Sequence, residues 1–248
     1  MNTFVIISEI YPMTLSAINQ NAQAYVKSHK KELCEQFASP TVYPSINSPS
    51  SYFMAGSPGA GKTEFSKAFI KELEEKEPTR KIVRIDADEI RDILPGYNHK
   101  NSSELQPAAS IAVDKILDSV FKHDQDFLLD GTFSNYAIAK KNIDRCLSHN
   151  RKIGLLYLYQ DPVVAWKFTQ IRESHEGRNI PKAAFITEFF NSKECVNRIK
   201  SEYGSKIELW LIKKDFSSNI EKTEFNIDNI DNYLKIEYTE EDLDKDLK

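Results

Sequence analysis

Apolar positions recur along this chain in two rhythms. Between residues 12 and 38, Leu15, Ile18, Ala22, Tyr25, Val26, Leu33 and Phe37 follow helical spacing, bracketed by Pro12 and Pro40. The pattern predicts one amphipathic helix. The stretch 39–51 holds three prolines and five serines and reads as an extended connector. From Tyr52 the rhythm changes. Short apolar runs at 52–55, 82–85, 127–129, 153–159 and 207–212 predict five strands. Between them, helical faces are marked by Phe65, Phe69 and Leu73, by Ile111, Ile116 and Val120, and by Val163, Trp166 and Ile171.

Strands that alternate with helices imply an α/β fold, a mostly parallel sheet with helices on both faces, here with an N-terminal helix added. Loops that carry chemistry then lie at the carboxyl ends of the strands. The expected division is a helix and linker over 1–51, a main domain over 52–225 and an acidic tail over 226–248. The tail holds eight acidic and three basic side chains, a local charge of −5, which reads as a solvated or partly disordered segment.

Composition narrows the function classes. With 40% hydrophobic and 28% charged residues the chain is an ordinary folded protein. A formal net charge of −4 argues against a protein built to grip nucleic acid, since that affinity comes from Lys and Arg. Cys34, Cys146 and Cys195 are too scattered for a disulfide framework or a metal cluster. The apolar run at 4–7 is too short to span a bilayer and has no basic leader, so no membrane is expected and the location read is cytoplasmic.

Residues 56–63 read GSPGAGKT: Gly56, Ser57, Pro58, Gly59, Ala60, Gly61, Lys62 and Thr63. This fulfils G-x-x-x-x-G-K-[ST], a pattern that chance supplies in about one chain in a hundred of this size. The glycines let the backbone form a concave nest of N–H donors, and the helix that follows points its positive end at bound phosphate. Lys62 is expected on the β- and γ-phosphates of ATP and the Thr63 hydroxyl on Mg²⁺. The fold expected is therefore P-loop kinase-like.

Two acidic strand ends lie on the same side. Asp86 and Asp88 follow the run at 82–85, and both would face alike if the strand continued through them. They can supply a base for an acceptor hydroxyl and orient a metal, although Asp88 could instead cap the helix at 89–94. Asp130 ends the run at 127–129, ahead of Gly131 and Thr132, and reads either as a metal or acceptor contact or as a turn residue. Further on, Arg172 and Arg178 flank a polar stretch that could close over ATP and clamp the transferring group.

Four segments together resemble the zeta-toxin family, bacterial kinases of toxin–antitoxin systems that phosphorylate UDP-N-acetylglucosamine. They are GSPGAGKT, IDADEIRDILPGYN at 85–98, LLDGTFSN at 128–135 and RESHEGRNIP at 172–181. The resemblance implies that Lys62 and Thr63 serve nucleotide and Mg²⁺, that Asp88 is the base for the sugar 3′-hydroxyl, and that Arg172 and Arg178 contact the ATP phosphates. It puts Asp114 at an acidic sugar-contacting position, with Asp86, Asp130 and Thr132 on the acceptor side. It also implies an antitoxin partner whose helix obstructs the nucleotide site, a task the chain's own N-terminal helix could perform in cis. Asp130 stands where known members carry Glu, and only five residues separate the two arginines. A P-loop kinase of another small molecule, such as an antibiotic or nucleoside, is the alternative.

Overall fold

The computed structural model describes residues 16–176, 179–215, 217, 219–235 and 237–248. In chain order its helices and strands are α1 (Ala17–Ser28), α2 (Lys30–Ala38), β1 (Ser50–Ala55), α3 (Lys62–Lys76), β2 (Ile82–Asp86), α4 (Ala87–Asp92), α5 (Ser102–Lys122), β3 (Asp126–Asp130), α6 (Tyr136–Ser148), β4 (Lys152–Tyr159), α7 (Pro162–Glu176), α8 (Lys182–Tyr203), β5 (Glu208–Lys214), β6 (Ile220–Glu224) and α9 (Glu240–Asp246). The strands form one sheet in the order β2-β3-β1-β4-β5-β6. All neighbours are parallel except β5 and β6. β1 thus lies at the centre, where the chain winds to β3 on one side and β4 on the other.

Strand alternation distributes the core. Phe53 and Ala55 of β1 join the larger apolar cluster with α5, α6 and α8, while Met54 joins a smaller one covered by Phe65, Phe69 and Leu73 of α3. The expected helices on both faces are therefore present.

Three elements differ from the sequence expectation. The single N-terminal helix is two, broken at His29, whose ring stacks on Tyr25 with centroids 4.1 Å apart. Ser28 donates to the Ala24 and Tyr25 carbonyls, so side chains compete with the helical ladder at that point. Residues 12–15 of the expected helix lie outside the described residues. Ala22, Val26 and Leu33 are buried against α5 in the main core.

The acidic tail is also not a solvated one. Ile227, Ile230, Leu234, Leu243 and Leu247 are buried in the same core. Polar bonds fasten the segment further: Trp166 Nε1 and Gln170 Nε2 donate to the Lys248 carbonyl at 2.8 and 2.6 Å, and the Tyr238 hydroxyl donates to Asp161 at 2.8 Å. The apolar residues spaced through the acidic ones set the outcome, because each charge can face water while they face inward.

The third difference is β6, an antiparallel edge strand with the mostly polar sequence IEKTE, which carries no apolar alternation. At the opposite edge, the Glu74 carboxylate accepts from the Ile82 N–H at 3.1 Å. No helix among the described residues is long and apolar enough to cross a membrane.

Candidate active site

The loop 56–63 connects β1 to α3 and lies at the carboxyl end of the central strand. Gly59 has φ 72°, and a Cβ there would sit 2.1 Å from the Ala165 carbonyl of α7, so only glycine fits this close approach. No side chain caps α3, whose first N–H groups therefore belong to the loop. The Lys62 ammonium folds back over the nest, donating to the Gly56 and Ser57 carbonyls at 3.0 and 2.7 Å. Burial lowers its pKa, opposed by the charges of Asp130 and Glu188.

Register brings the strand-end acids together. Asp86 of β2 pairs with Asp130 of β3 across the ladder, which sets two carboxylates side by side. Arg84 holds both: its Nη2 donates to Asp86 Oδ2 at 2.5 Å and to Asp130 Oδ2 at 2.6 Å. Nη1 reaches Glu89 at 2.6 Å, and Nε reaches the Ser66 hydroxyl at 3.0 Å. Ser66 in turn donates to Asp130 at 2.8 Å. Burial raises the Asp86 pKa, helped by Asp130 and Asp88.

Asp88 has a different setting. β2 ends at Asp86, whose side chain accepts from the Asp88 N–H and caps α4, so the cap is Asp86 and Asp88 lies in the first helical turn. The strand does not continue through both. Asp88 Oδ1 accepts from Arg91 at 2.5 Å, its Oδ2 is 3.9 Å from Arg172 of α7, and the side chain is 38% exposed. Arg178 lies outside the described residues.

Thr132 meets the loop through its backbone, while its hydroxyl lies 2.9 Å from that of Ser134. Its carbonyl accepts from the Gly56 N–H at 3.2 Å and from the Ser192 hydroxyl of α8 at 2.6 Å, and Ser192 also accepts from Gly56 N–H at 2.7 Å. Gly131 has room for a side chain and no positive φ; the left-handed residue of this turn is Phe133, at φ 56°. The partners of Asp114 are Lys141 and Arg145 of α6, at 2.9 and 3.6 Å, and none of the residues above.

For Mg²⁺ the residues at hand are the Thr63 hydroxyl and the carboxylates of Asp86 and Asp130, both of which are paired with Arg84. Ser66 links the Thr63 carbonyl to Asp130, which brings the Thr63 turn to that carboxylate. One hydroxyl and one or two carboxylates beside bound phosphates is a set that suits this ion.

Sequence reasoning missed Arg84, Ser66, Ser192 and Glu188. Arg84 and Asp86 do share a strand face by alternation, which is a usable signal. Ser192 and Glu188 reach the loop from more than a hundred residues away, and spacing carries no such information. Burial raises the Glu188 pKa, while Lys62 lowers it and Asp88 raises it.

The zeta toxin family's sequence model matches residues 35–223. The chain belongs to the zeta toxin family. That span takes in the P-loop, both acidic strand ends and α7, and leaves out α1 and α9. Among solved structures, a similar chain comes from the PezAT chromosomal toxin–antitoxin system of Streptococcus pneumoniae. It is 15% identical, with a TM-score of 0.61 over 83% of this chain and 80% of that one. Chains of the AvrRxo1-ORF1:AvrRxo1-ORF2 complex are also similar. The structure with sulphate ions aligns with TM-score 0.56 and the one with ATP with 0.55, each 14% identical over 87% of this chain and 70% of that one. No curated protein matches the chain. The mostly parallel sheet with its helices is thus the fold shared with these structures.

Proposed function

We propose that this zeta toxin family member is a kinase that moves the γ-phosphoryl group of ATP to the 3′-hydroxyl of the amino sugar of UDP-N-acetylglucosamine. On this reading the product is toxic to bacteria because it blocks cell-wall precursor synthesis. One observation carries the proposal. Lys62 of a complete P-loop, the accessible carboxylate of Asp88 and the guanidinium of Arg172 meet in one electrostatic neighbourhood at the carboxyl end of the sheet.

In this reading the nest at 56–63 binds the phosphates of ATP and Lys62 leaves its carbonyl partners for the β- and γ-oxygens. Asp88 accepts the proton of the acceptor hydroxyl as the new O–P bond forms and the bond to ADP breaks. Arg172, with Arg178, draws charge from the transferring group. Thr63 with Asp130 and Asp86 would hold Mg²⁺, which when bound neutralises charge on the β- and γ-phosphates. Asp130 and Thr132 belong to the acceptor side, Asp114 stands apart from them on Lys141 and Arg145, and residues 52–225 carry the kinase chemistry on a core shared with α1, α2 and the 226–248 segment.

An ATP complex solved for AvrRxo1-ORF1:AvrRxo1-ORF2 supports the donor, and the toxin–antitoxin systems among the similar structures support an antitoxin protein as partner. Burial of Ala22 and Val26 on α5 favours a packing role for α1 over inhibition in cis. Mass analysis of nucleotide sugars after incubation with ATP and Mg²⁺ tests the proposal. UDP-N-acetylglucosamine should gain one phosphoryl group, and Lys62→Ala should abolish both the gain and toxicity in a bacterium. Far faster turnover of an antibiotic or nucleoside would overturn the acceptor assignment.

A further inference from the structure

Lys214, at the end of β5, stands over the P-loop from the side opposite the acidic strand ends. Its ammonium donates to the Ala60 carbonyl at 3.4 Å. It also occupies the space beside Gly61: a Cβ built there would lie 2.4 Å from Lys214 Nζ and 3.6 Å from Glu64 Oε2. Gly61 has φ 85°, so the loop here is held open to these two charged groups by a residue that has no side chain.

The placement of Lys214 is built into the strand. The register shift opposite Lys213 and Lys214 lies in β6, where Glu221 is the extra residue, and alternation along β5 sends the two lysines to opposite faces. Lys213 turns outward to Glu221, with a 3.1 Å ion pair. Lys214 turns inward and is half-buried. Just beyond it, the buried Gln160 donates to the Asp215 carbonyl at 3.1 Å, and the Asp215 carboxylate accepts from the Ser217 and Asn219 N–H groups at 2.9 and 2.8 Å. Asp215, the residue next to Lys214, is therefore held through both its carbonyl and its carboxylate. Burial lowers the Lys214 pKa, opposed by Glu64 and Asp215.

Phosphoryl transfer is roughly in line, with the attacking oxygen and the leaving oxygen on opposite sides of the phosphorus. Asp86, Asp88 and Asp130 lie on the β2–β3 side of the loop, which is where the acceptor approaches. The leaving nucleotide must then extend across the loop, toward β4 and β5. From this geometry we propose that Lys214 is a second cation of the donor site, which binds the α-phosphate at the nucleoside end of ATP, with the Ala60 carbonyl and Glu64 aligning its ammonium. This deepens the kinase reading above and rests on it.

The α-phosphate keeps its charge throughout the transfer, so the contact is equally strong in ground and transition states. Removing it should raise KM and leave kcat nearly unchanged. The test is calorimetric titration of the full chain with ATP and with ADP, paired with turnover measurements, for wild type, Lys214→Gln and Lys214→Arg. Glutamine keeps an N–H donor but is uncharged and one bond shorter, and arginine restores the charge and the reach. Lys214→Gln should weaken ATP and ADP alike by about tenfold, the range of one charge-assisted hydrogen bond, with kcat within about twofold of wild type. Lys214→Arg should restore most of the affinity.

Unchanged affinity in Lys214→Gln overturns the inference while leaving the donor-site reading standing, as does a loss confined to ATP, which would put the lysine on the γ-phosphate. A Lys214→Arg variant as weak as Lys214→Gln also overturns it. Failure of the wild-type protein to bind ATP overturns the donor-site reading itself.

Discussion

The acids that end β2 and β3 and the acid of α4 lie at the same end of the sheet, yet the fold gives them opposite circumstances. Asp86 and Asp130 are buried, aligned by strand register and tied to one guanidinium. Asp88 is over a third exposed and faces Arg91 and the distal Arg172. Asp86 and Asp130 each hold Arg84 on Oδ2, and Asp86 Oδ1 accepts the Asp88 N–H, whereas the more exposed Asp88 carboxylate is paired with Arg91 at the surface. The difference comes from where a strand stops, since Asp86 ends β2 and caps the helix that lifts Asp88 out of the sheet. Identity and proximity therefore do not distinguish these carboxylates; the backbone beneath each side chain does.

That division is exposed to direct tests. The largest effect is expected for Asp88→Asn, which keeps size and most hydrogen bonding but removes the proposed base, so turnover should fall by about 10²–10⁴-fold with ATP affinity nearly unchanged. Single-turnover kinetics and calorimetry on the same preparation measure both quantities. If Asp86→Asn slows turnover as much while the protein stays folded, the contrast between scaffold and base collapses.

Next is Arg84→Met, which strands two buried carboxylates without a counter-charge. Denaturant unfolding should reveal a loss of about 3–5 kcal/mol. The loss should deepen as pH rises above the ordinary carboxyl range, because burial raises the Asp86 pKa and the protonated form costs less to bury. An Arg84→Met protein as stable as wild type at pH 8 would show that the cluster is not held by charge.

The smallest effect belongs to Glu188→Gln. Burial raises this residue's pKa, so the folded state binds its proton more readily than the unfolded chain does, and stability falls as pH climbs from about 4, where a free glutamate titrates. Glutamine removes that penalty. Its melting temperature should exceed that of wild type at pH 7 and match it at pH 4, and a lower value at pH 7 would mean that the Glu188 attraction to Lys62 outweighs its burial.

The legible parts of the molecule are those with local causes. The P-loop is a contiguous signature, and five strands announced themselves as apolar runs that the sheet buries on both faces. β6 was hidden because an edge strand beside solvent needs no apolar face, and IEKTE has none. The acidic tail misled because its net charge outweighed, in a windowed reading, the few leucines and isoleucines that dock it. Arg84 was half-legible, sharing a face with Asp86, but its tie to Asp130 depends on which strand becomes its neighbour. Ser192 and Lys214 approach the loop from α8 and β5, and only the assembled sheet reveals them.

The two rims of the sheet govern how another chain can take hold of this one. At β2 the Glu74 carboxylate already receives the Ile82 N–H and is itself paired with Lys81 at 2.8 Å. At β6 the rim offers Glu221, Lys222 and Glu224, charges that an added strand would have to desolvate. Backbone-to-backbone docking of an extended peptide is therefore disfavoured at both margins. Recognition has to run through helix surfaces and side chains, and the same guarded rims oppose the stacking of one copy's sheet onto the next when the protein is concentrated.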